Sequence, residues 1–410
     1  MNRYLSALLI TIFASTVFAE AWPQYRGLLG DGKSSASIGD VSSLKTLWKV
    51  PTSLGFSSFA VAEGRAFTQI QADDTEMILA LDAKTGKELW REPLGASDWR
   101  GGGGAGSPDN KGGDGPRSTP STDGRRVFVY DAHLLLSCFD AATGDLIWKR
   151  DVMKEFSGRN IKWHNATSPL LDGDHIYVGG GGAGQTFLAF DKNTGRELWM
   201  SGDEEITHAT PTLTKIDDKK QIIFFVQSGL VSIDPKNGNE LWRQKFDFAT
   251  STAASPLVEG NLVYCSAGYG TGAGLYRVTN NTTSERIWRK PNKLMNHWST
   301  PVIHDGHLYG IFEFKKYGKA PLNCVELSTG KVKWSNRGFG PGNCILVGDK
   351  LVVLSDTGEL VFVKAQPTEY EELSRQDVLE GKCWSTPAYA DGKIFVRSTE
   401  EGACLEVAKN

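Results

Sequence analysis

Ala80-Leu-Asp82-Ala-Lys-Thr85-Gly86-Lys-Glu-Leu-Trp90 decides the fold, because the chain keeps returning to it. It comes back as Cys138-Phe-Asp140-Ala-Ala-Thr143-Gly144-Asp-Leu-Ile-Trp148 and as Ala189-Phe-Asp191-Lys-Asn-Thr194-Gly195-Arg-Glu-Leu-Trp199. A further copy is Ser232-Ile-Asp234-Pro-Lys-Asn237-Gly238-Asn-Glu-Leu-Trp242. Worn copies end at Trp288 and Trp334, and a last one carries Leu373 in the Trp place. From Trp90 to Trp334 the spacings are 58, 51, 43, 46 and 46 residues. A recurrence of this length marks a repeat architecture, which overrides the two or three domains that length alone would suggest.

The phrase has a local physical meaning. Asp in its third place can accept bonds from backbone N–H groups ahead of it, as in an Asx-turn. Gly86, Gly144, Gly195, Gly238 and Gly330 sit where a short hairpin needs a positive φ. The Trp four residues later falls on the next strand and is large enough to wedge between neighbouring sheets. Ahead of the copies runs a second signal: Ser118-Thr-Pro120, Thr167-Ser-Pro169, Ala209-Thr-Pro211, Ala254-Ser-Pro256, Ser299-Thr-Pro301 and Ser385-Thr-Pro387. A polar turn and an alternating apolar run follow, as in Val127-Phe-Val-Tyr130, so each unit reads as four antiparallel strands.

Units of this length are β-propeller blades. They fall near 54–95, 117–152, 164–202, 207–246, 251–290, 297–338 and 341–379. The remainder, 382–409, supplies three strands, and Thr46-Leu-Trp48-Lys-Val50 supplies the missing outer one. The expectation is an all-β, eight-bladed propeller over 44–410, closed by both termini so that no ring edge is left exposed. Trp48, Trp90, Trp148, Trp199, Trp242, Trp288 and Trp334 are its expected structural docking residues, each expected to be buried.

Residues 1–19 read separately: Arg3, an apolar stretch from Leu8 to Phe13 and Val17-Phe18-Ala19 make a cleavable signal peptide rather than a membrane span. No cysteine follows the cleavage site, so a lipid anchor is not expected, and the mature chain is placed in the periplasm or outside the cell. Residues 20–43 form an N-terminal arm with an expected covering role, since Gly30-Asp31-Gly32 lacks the carboxylates of a calcium loop. A net charge of −3 gives no footprint for nucleic acid and no polybasic membrane patch. Of the six cysteines, Cys138, Cys324 and Cys404 fill the first slot of the phrase and read as small buried packers, while Cys265, Cys344 and Cys383 stay open.

The Ala-x-Asp-x-x-Thr-Gly-x-x-x-Trp phrase resembles the tryptophan-docking motif of the pyrroloquinoline quinone (PQQ) repeat family, which holds the quinoprotein alcohol dehydrogenases and the BamB-type scaffold of outer-membrane barrel assembly. Trp22-Pro-Gln-Tyr-Arg-Gly27, Gly115-Pro-Arg-Ser-Thr-Pro120 and Lys382-Cys-Trp384 look like a branch of exported PQQ-like propellers. The resemblance covers nearly the whole mature chain and implies the fold more than an activity. In the dehydrogenases it implies a disulfide of adjacent cysteines on the quinone, a Trp beneath it, a calcium held by carboxylate and amide groups, and an Asp base. This chain has no adjacent cysteine pair. Trp163, Trp298 or Trp384 can serve as a platform, and Asn165 or Asn296 can offer amide oxygens.

Residues just ahead of the Ser-Thr-Pro signals should reach the channel mouth. Arg117, Trp163, His164, His208, His297, Trp298 and Trp384 stand there, as a ligand pocket or as channel filler. His208 and His297 have no close spacing to a carboxylate, which favours structural use over metal ligation or base catalysis. The glycine-rich stretch from Gly101 to Gly115, with Asp109 and Asp114, is long enough to be functional or mobile. Gly179 to Gly184 and Gly268 to Gly274 read as hairpin excursions rather than phosphate cradles. Two functions follow: a non-catalytic, monomeric module binding protein, peptide or carbohydrate, or a dehydrogenase of alcohols or sugars carrying PQQ with calcium. The first is the expectation, with no catalytic, cofactor or metal residues assigned.

Overall fold

A computed structural model describes residues 20–97, 115–313 and 318–408. The expected signal peptide, and the stretch from Gly101 to Asp114, lie outside the described residues. Eight sheets follow one another around a ring, seven of four strands and one of five. Blade one spans 60–96, blade two 121–151, blade three 170–201, blade four 212–245, blade five 257–290 and blade six 302–336. Blade seven spans 343–377, and blade eight takes its inner three strands from 388–406 and its outer one from Lys45–Pro51. The eight-bladed ring closed by both termini is therefore observed. Among the described residues no helix is long and apolar enough to cross a membrane.

Each repeated phrase is the turn between the third and outer strands. Asp82 Oδ1 accepts from the Lys84 and Thr85 N–H groups at 3.1 and 2.8 Å, and Asp191 repeats the pattern with Asn193 and Thr194. The turn closes at Gly86 and Gly195 with φ of 71° and 68°, a conformation that a Cβ would strain. The tryptophans reach forward to the following blade: Trp48 Nε1 donates to Ala83 O, Trp90 to Ala141 O, Trp148 to Lys192 O and Trp199 to Pro235 O. Their rings cover the turn glycine, so a Cβ on Gly144 would stand 2.8 Å from the Trp90 ring. Trp242 differs, donating within its own blade to Gln221 Oε1.

One expectation is corrected in degree. Trp48, Trp90, Trp242 and Trp334 are buried, but Trp148, Trp199 and Trp288 are only half-buried. All seven lie on outer strands, so strand position alone does not separate the two groups. The apolar core sits at the seams between blades; Phe225, Leu230 and Trp242 of blade four meet Val263, Cys265 and Tyr276 of blade five in one cluster. All six cysteines are free and buried, including the three left open above.

The Ser-Thr-Pro signals build a girdle around the channel. At five blades the middle residue accepts, through its hydroxyl, the N–H of its counterpart in the preceding blade: Ser58 N–H donates to Thr119, Thr119 to Ser168, and Ser168 to Thr210, whereas the Ser255 hydroxyl donates to Thr210 O. Ser255 N–H donates to Thr300, and Thr386 N–H to Ser58, across the closing seam. Gly340 takes this place in blade seven and offers no hydroxyl. The fully buried Arg397 strengthens the same closure, donating from blade eight to Thr68 Oγ1, Gln69 O and Ser53 O of blade one.

The N-terminal arm covers one end of the channel. Its Trp22 bridges to Val61 of blade one, Pro23 O accepts from Thr122 N of blade two, and Gln24 Oε1 accepts from Leu171 N of blade three. Buried Arg26 donates to Thr300 O and Pro301 O of blade six, and Lys33–Ser34 pairs in parallel with the inner strand of blade seven. The opposite mouth is where the inner strands begin.

Candidate functional site

The hydroxyl girdle defines one slot per blade, two residues ahead of the ring hydroxyl. That slot holds Phe56, Arg117, Ala166, His208, Ala253, Trp298, Gly338 and Trp384. His208 and Trp384 are buried there, while Phe56, Arg117 and Trp298 are half-buried. Trp298 and Trp384 meet with ring centroids 4.3 Å apart, and Phe56 stacks on Trp384 at 4.7 Å. His297 lies 4.8 Å from Trp298, and Tyr269 lies 5.3 Å from His297. Trp298 Nε1 donates to Pro341 O at 2.8 Å, so this aromatic arc passes over blade seven.

The other expected residues form a second group. Arg117 Nη1 donates to Trp163 O at 2.6 Å, Trp163 lies 6.5 Å from His208, and His164 lies 5.0 Å from His133. Trp163 and His164 hold φ of 67° and 61°, costly for large side chains and found mainly where the surroundings enforce it. Lysines flank both groups: Lys162 Nζ stands 4.6 Å from the Trp163 ring and Lys382 Nζ 4.7 Å from the Trp384 ring.

Phe56, Tyr269, Lys162 and Lys382 escaped sequence reading. Phe56 occupies the same slot as Trp384, but Ser57-Ser58-Phe59 lacks the proline that flagged the other blades. Tyr269 projects from the hairpin between Gly268 and Gly274, which read as a plain excursion.

His208 is held neutral, its pKa lowered to about 3 by burial and by the Arg117 charge. Its Nε2 meets Lys162 O at 3.1 Å, so that nitrogen carries the proton, and Nδ1 accepts from Ser251 Oγ at 2.7 Å. Both nitrogens are engaged in joining blades, which leaves neither for a metal or a substrate proton. Beneath Arg117 lie two buried carboxyls. Glu76 accepts from Ala132 N at 3.1 Å, and its pKa is pushed up to about 8 by burial and by Asp131. Asp131 accepts from His133 N and Leu135 N, and burial raises it to about 6.

The residues present do not fit a calcium–quinone pair. Asn165 Oδ1 already accepts from Thr167, and Asn296 Oδ1 from Tyr264 OH. The Trp298 and Trp384 rings touch, leaving no slot for a flat ring between them. Among the described residues no group of three or more His, Cys, Asp or Glu is placed to hold a metal ion.

Residues 74–336 match the family model described as outer membrane protein assembly factor BamB. The chain belongs to this family. BamB of Shewanella oneidensis is 21% identical over 266 residues, covering 60% of this chain and 63% of that protein. BamB of Yersinia pestis is 21% identical over 296 residues, covering 68% and 71%. Tetrathionate hydrolase of Acidithiobacillus ferrooxidans is 24% identical over 253 residues, covering 58% of this chain and 42% of the enzyme. The match thus spans less than two thirds of the Shewanella and Acidithiobacillus proteins. Among solved structures, BamB from Moraxella catarrhalis has a TM-score of 0.61 at 13% identity, covering 89% of this chain and 100% of that one. Quinohemoprotein alcohol dehydrogenase from Comamonas testosteroni has a TM-score of 0.64 at 12% identity, covering 95% and 81%. At such identities the BamB-family chain shares a fold with both BamB and an alcohol dehydrogenase, and the site must decide between their roles.

Proposed function

We propose that this BamB-family chain is an exported, non-catalytic binding or scaffold module whose open channel mouth engages a protein, peptide or carbohydrate ligand. The observation that carries the reading is the aromatic arc Phe56, Trp384, Trp298, His297 and Tyr269, flanked by Lys382. Rigid aromatic surface beside cations is the composition of binding hot spots, because it buries area at little entropic cost. The arm closes the other end of the channel, so access is from this mouth. The family model supports the scaffold reading, and an exported, periplasmic setting accords with a factor of that name. The alternative, a quinoprotein dehydrogenase, asks for a calcium–quinone site that the engaged Asn165 and Asn296 do not offer.

The deciding experiment titrates the mature protein with PQQ plus calcium by calorimetry and by dye reduction with alcohols and sugars. In parallel, immobilised peptide and glycan libraries are probed with the wild type and a Trp298→Ala/Trp384→Ala variant. Ligands lost in the variant, with no dye reduction, are the expected result. Saturable PQQ binding with turnover would overturn the reading, as would a ligand profile that the two substitutions leave untouched.

A further inference from the structure

Many left-handed non-glycine residues are Asp and Asn in hairpin turns, as at Asp73-Asp74, Asp217-Asp218 and Asn280-Asn281. Their short polar side chains ease that conformation. Along the seam between blades five and six the pattern changes. Tyr269, Asn292, Leu294 and Glu313 hold φ of 55°, 56°, 53° and 67°. Three of these are bulky or long, and such outliers cluster where a binding site is held in shape by its surroundings. All four line one cleft of about 760 Å³, which runs from the loops of the mouth face toward Gly330 at the far end of blade six.

The chemistry of the cleft is mixed in a specific way. Asn323 is 6% exposed, and its Oδ1 meets no donor among the described residues. Lys290 and Lys293 bring ammonium groups, while Tyr269 and Phe312 bring flat apolar faces. A ligand that fits must donate to a buried amide oxygen, accept from ammonium groups and lay apolar faces on aromatic rings. A hydroxyl both donates and accepts, and a sugar ring carries several of them around a flat C–H face. Two lysines against the single carboxylate of Glu313 favour an anionic substituent. The volume lies within the range of small-molecule sites, roughly 300–1,000 Å³.

We propose that the cleft between blades five and six is a second binding site, for a short acidic oligosaccharide such as a uronate chain. It stands independently of the mouth reading, although Tyr269 touches both places. An extended peptide would instead pair with a strand edge, and is the competing outcome of the test.

Trigalacturonate, maltotriose and a hexa-alanine peptide are titrated into the full mature chain by calorimetry, with the melting temperature measured for each variant. Trigalacturonate is expected to bind about tenfold or more tighter than maltotriose, and Asn323→Leu to weaken both about tenfold or more. Because Asn323→Leu removes a buried oxygen without a donor, its melting temperature should stay level or rise, which separates lost binding from lost folding. Lys293→Ala, at an exposed position, should erase only the preference for the uronate. Lys154→Ala, exposed just past blade two and remote from both places, should leave all affinities unchanged. Failure of both saccharides to bind, binding by the peptide alone, or full affinity in a folded Asn323→Leu protein would overturn the proposal. Loss of binding in Trp384→Ala but not in Asn323→Leu would move the ligand to the mouth and leave the cleft unassigned.

Discussion

Replacing Glu76 by Gln should make this protein more stable as the pH rises, the reverse of what loss of a carboxylate usually does. Glu76 is fully buried beside Asp131, and its pKa rises from 4.5 to about 8. Below the unfolded value both states hold the proton and nothing is lost. Between 4.5 and about 8 the unfolded chain ionises while the folded one stays protonated, so wild-type stability falls through that window and levels off above it. A shift of this size, at about 1.4 kcal/mol per unit, sets a ceiling of roughly 4–5 kcal/mol for the loss. Gln keeps an acceptor for the Ala132 N–H and has no proton to lose. Urea midpoints measured from pH 4 to 9 on both proteins give the difference directly, since titrating groups remote from Glu76 are shared and cancel, leaving Glu76 and its neighbour Asp131. The gap should widen in favour of Glu76→Gln from pH 5 to 8 and then stay constant. Parallel curves, or a gap that opens toward acid, would refute the buried-carboxyl reasoning.

The tryptophans should separate by burial: Trp242→Ala removes a ring 2% exposed and should cost about 3–5 kcal/mol in denaturant unfolding, whereas half-buried Trp199→Ala should cost about half as much. Equal losses would mean that burial does not set the contribution. At the closing seam, Arg397→Leu strands the Gln69 and Ser53 carbonyls it now satisfies and should cost about 3–5 kcal/mol, with earlier proteolysis between blades eight and one. An unchanged midpoint would show that the seam holds without it. All six cysteines are buried with thiol pKa values raised by burial, Cys138 and Cys404 to about 12. A thiol reagent should therefore titrate none in the native protein and six after unfolding in non-reducing denaturant. Fewer than six on unfolding would reveal disulfides.

Much of the fold was legible because its determinants are local. An Asp that bonds two N–H groups ahead of it and a glycine at positive φ operate within five residues, so the turns at Asp82–Gly86 and Asp191–Gly195 could be read from a short window. The Ser-Thr-Pro signals were visible too, but their purpose was not. The Thr119 hydroxyl serves an N–H 61 residues earlier, and nothing near Thr119 in the chain shows that. The same limit explains the site. Residues ahead of the signals could be named, but Phe56 could not, since its blade lacks the proline that marks the slot in Ser118-Thr-Pro120 and Ser385-Thr-Pro387. Burial of the tryptophans was overestimated because the cover over most of these rings comes from the following blade, which the repeated phrase does not specify.

The periodic phrase by itself determined the repeat, the blade count and the sharing of blade eight between Lys45–Pro51 and 388–406. The repeat and the blade count follow from hydrogen bonds and steric limits that act within a single turn or hairpin, and the shared blade from the strand that 382–409 lacks. Only the tertiary structure decided that Trp298 and Trp384 touch, that Glu76 lies beside Asp131, and that Arg26 crosses the channel to blade six. Those contacts join residues brought together by the curvature of the ring, a property of eight packed sheets and of no one of them.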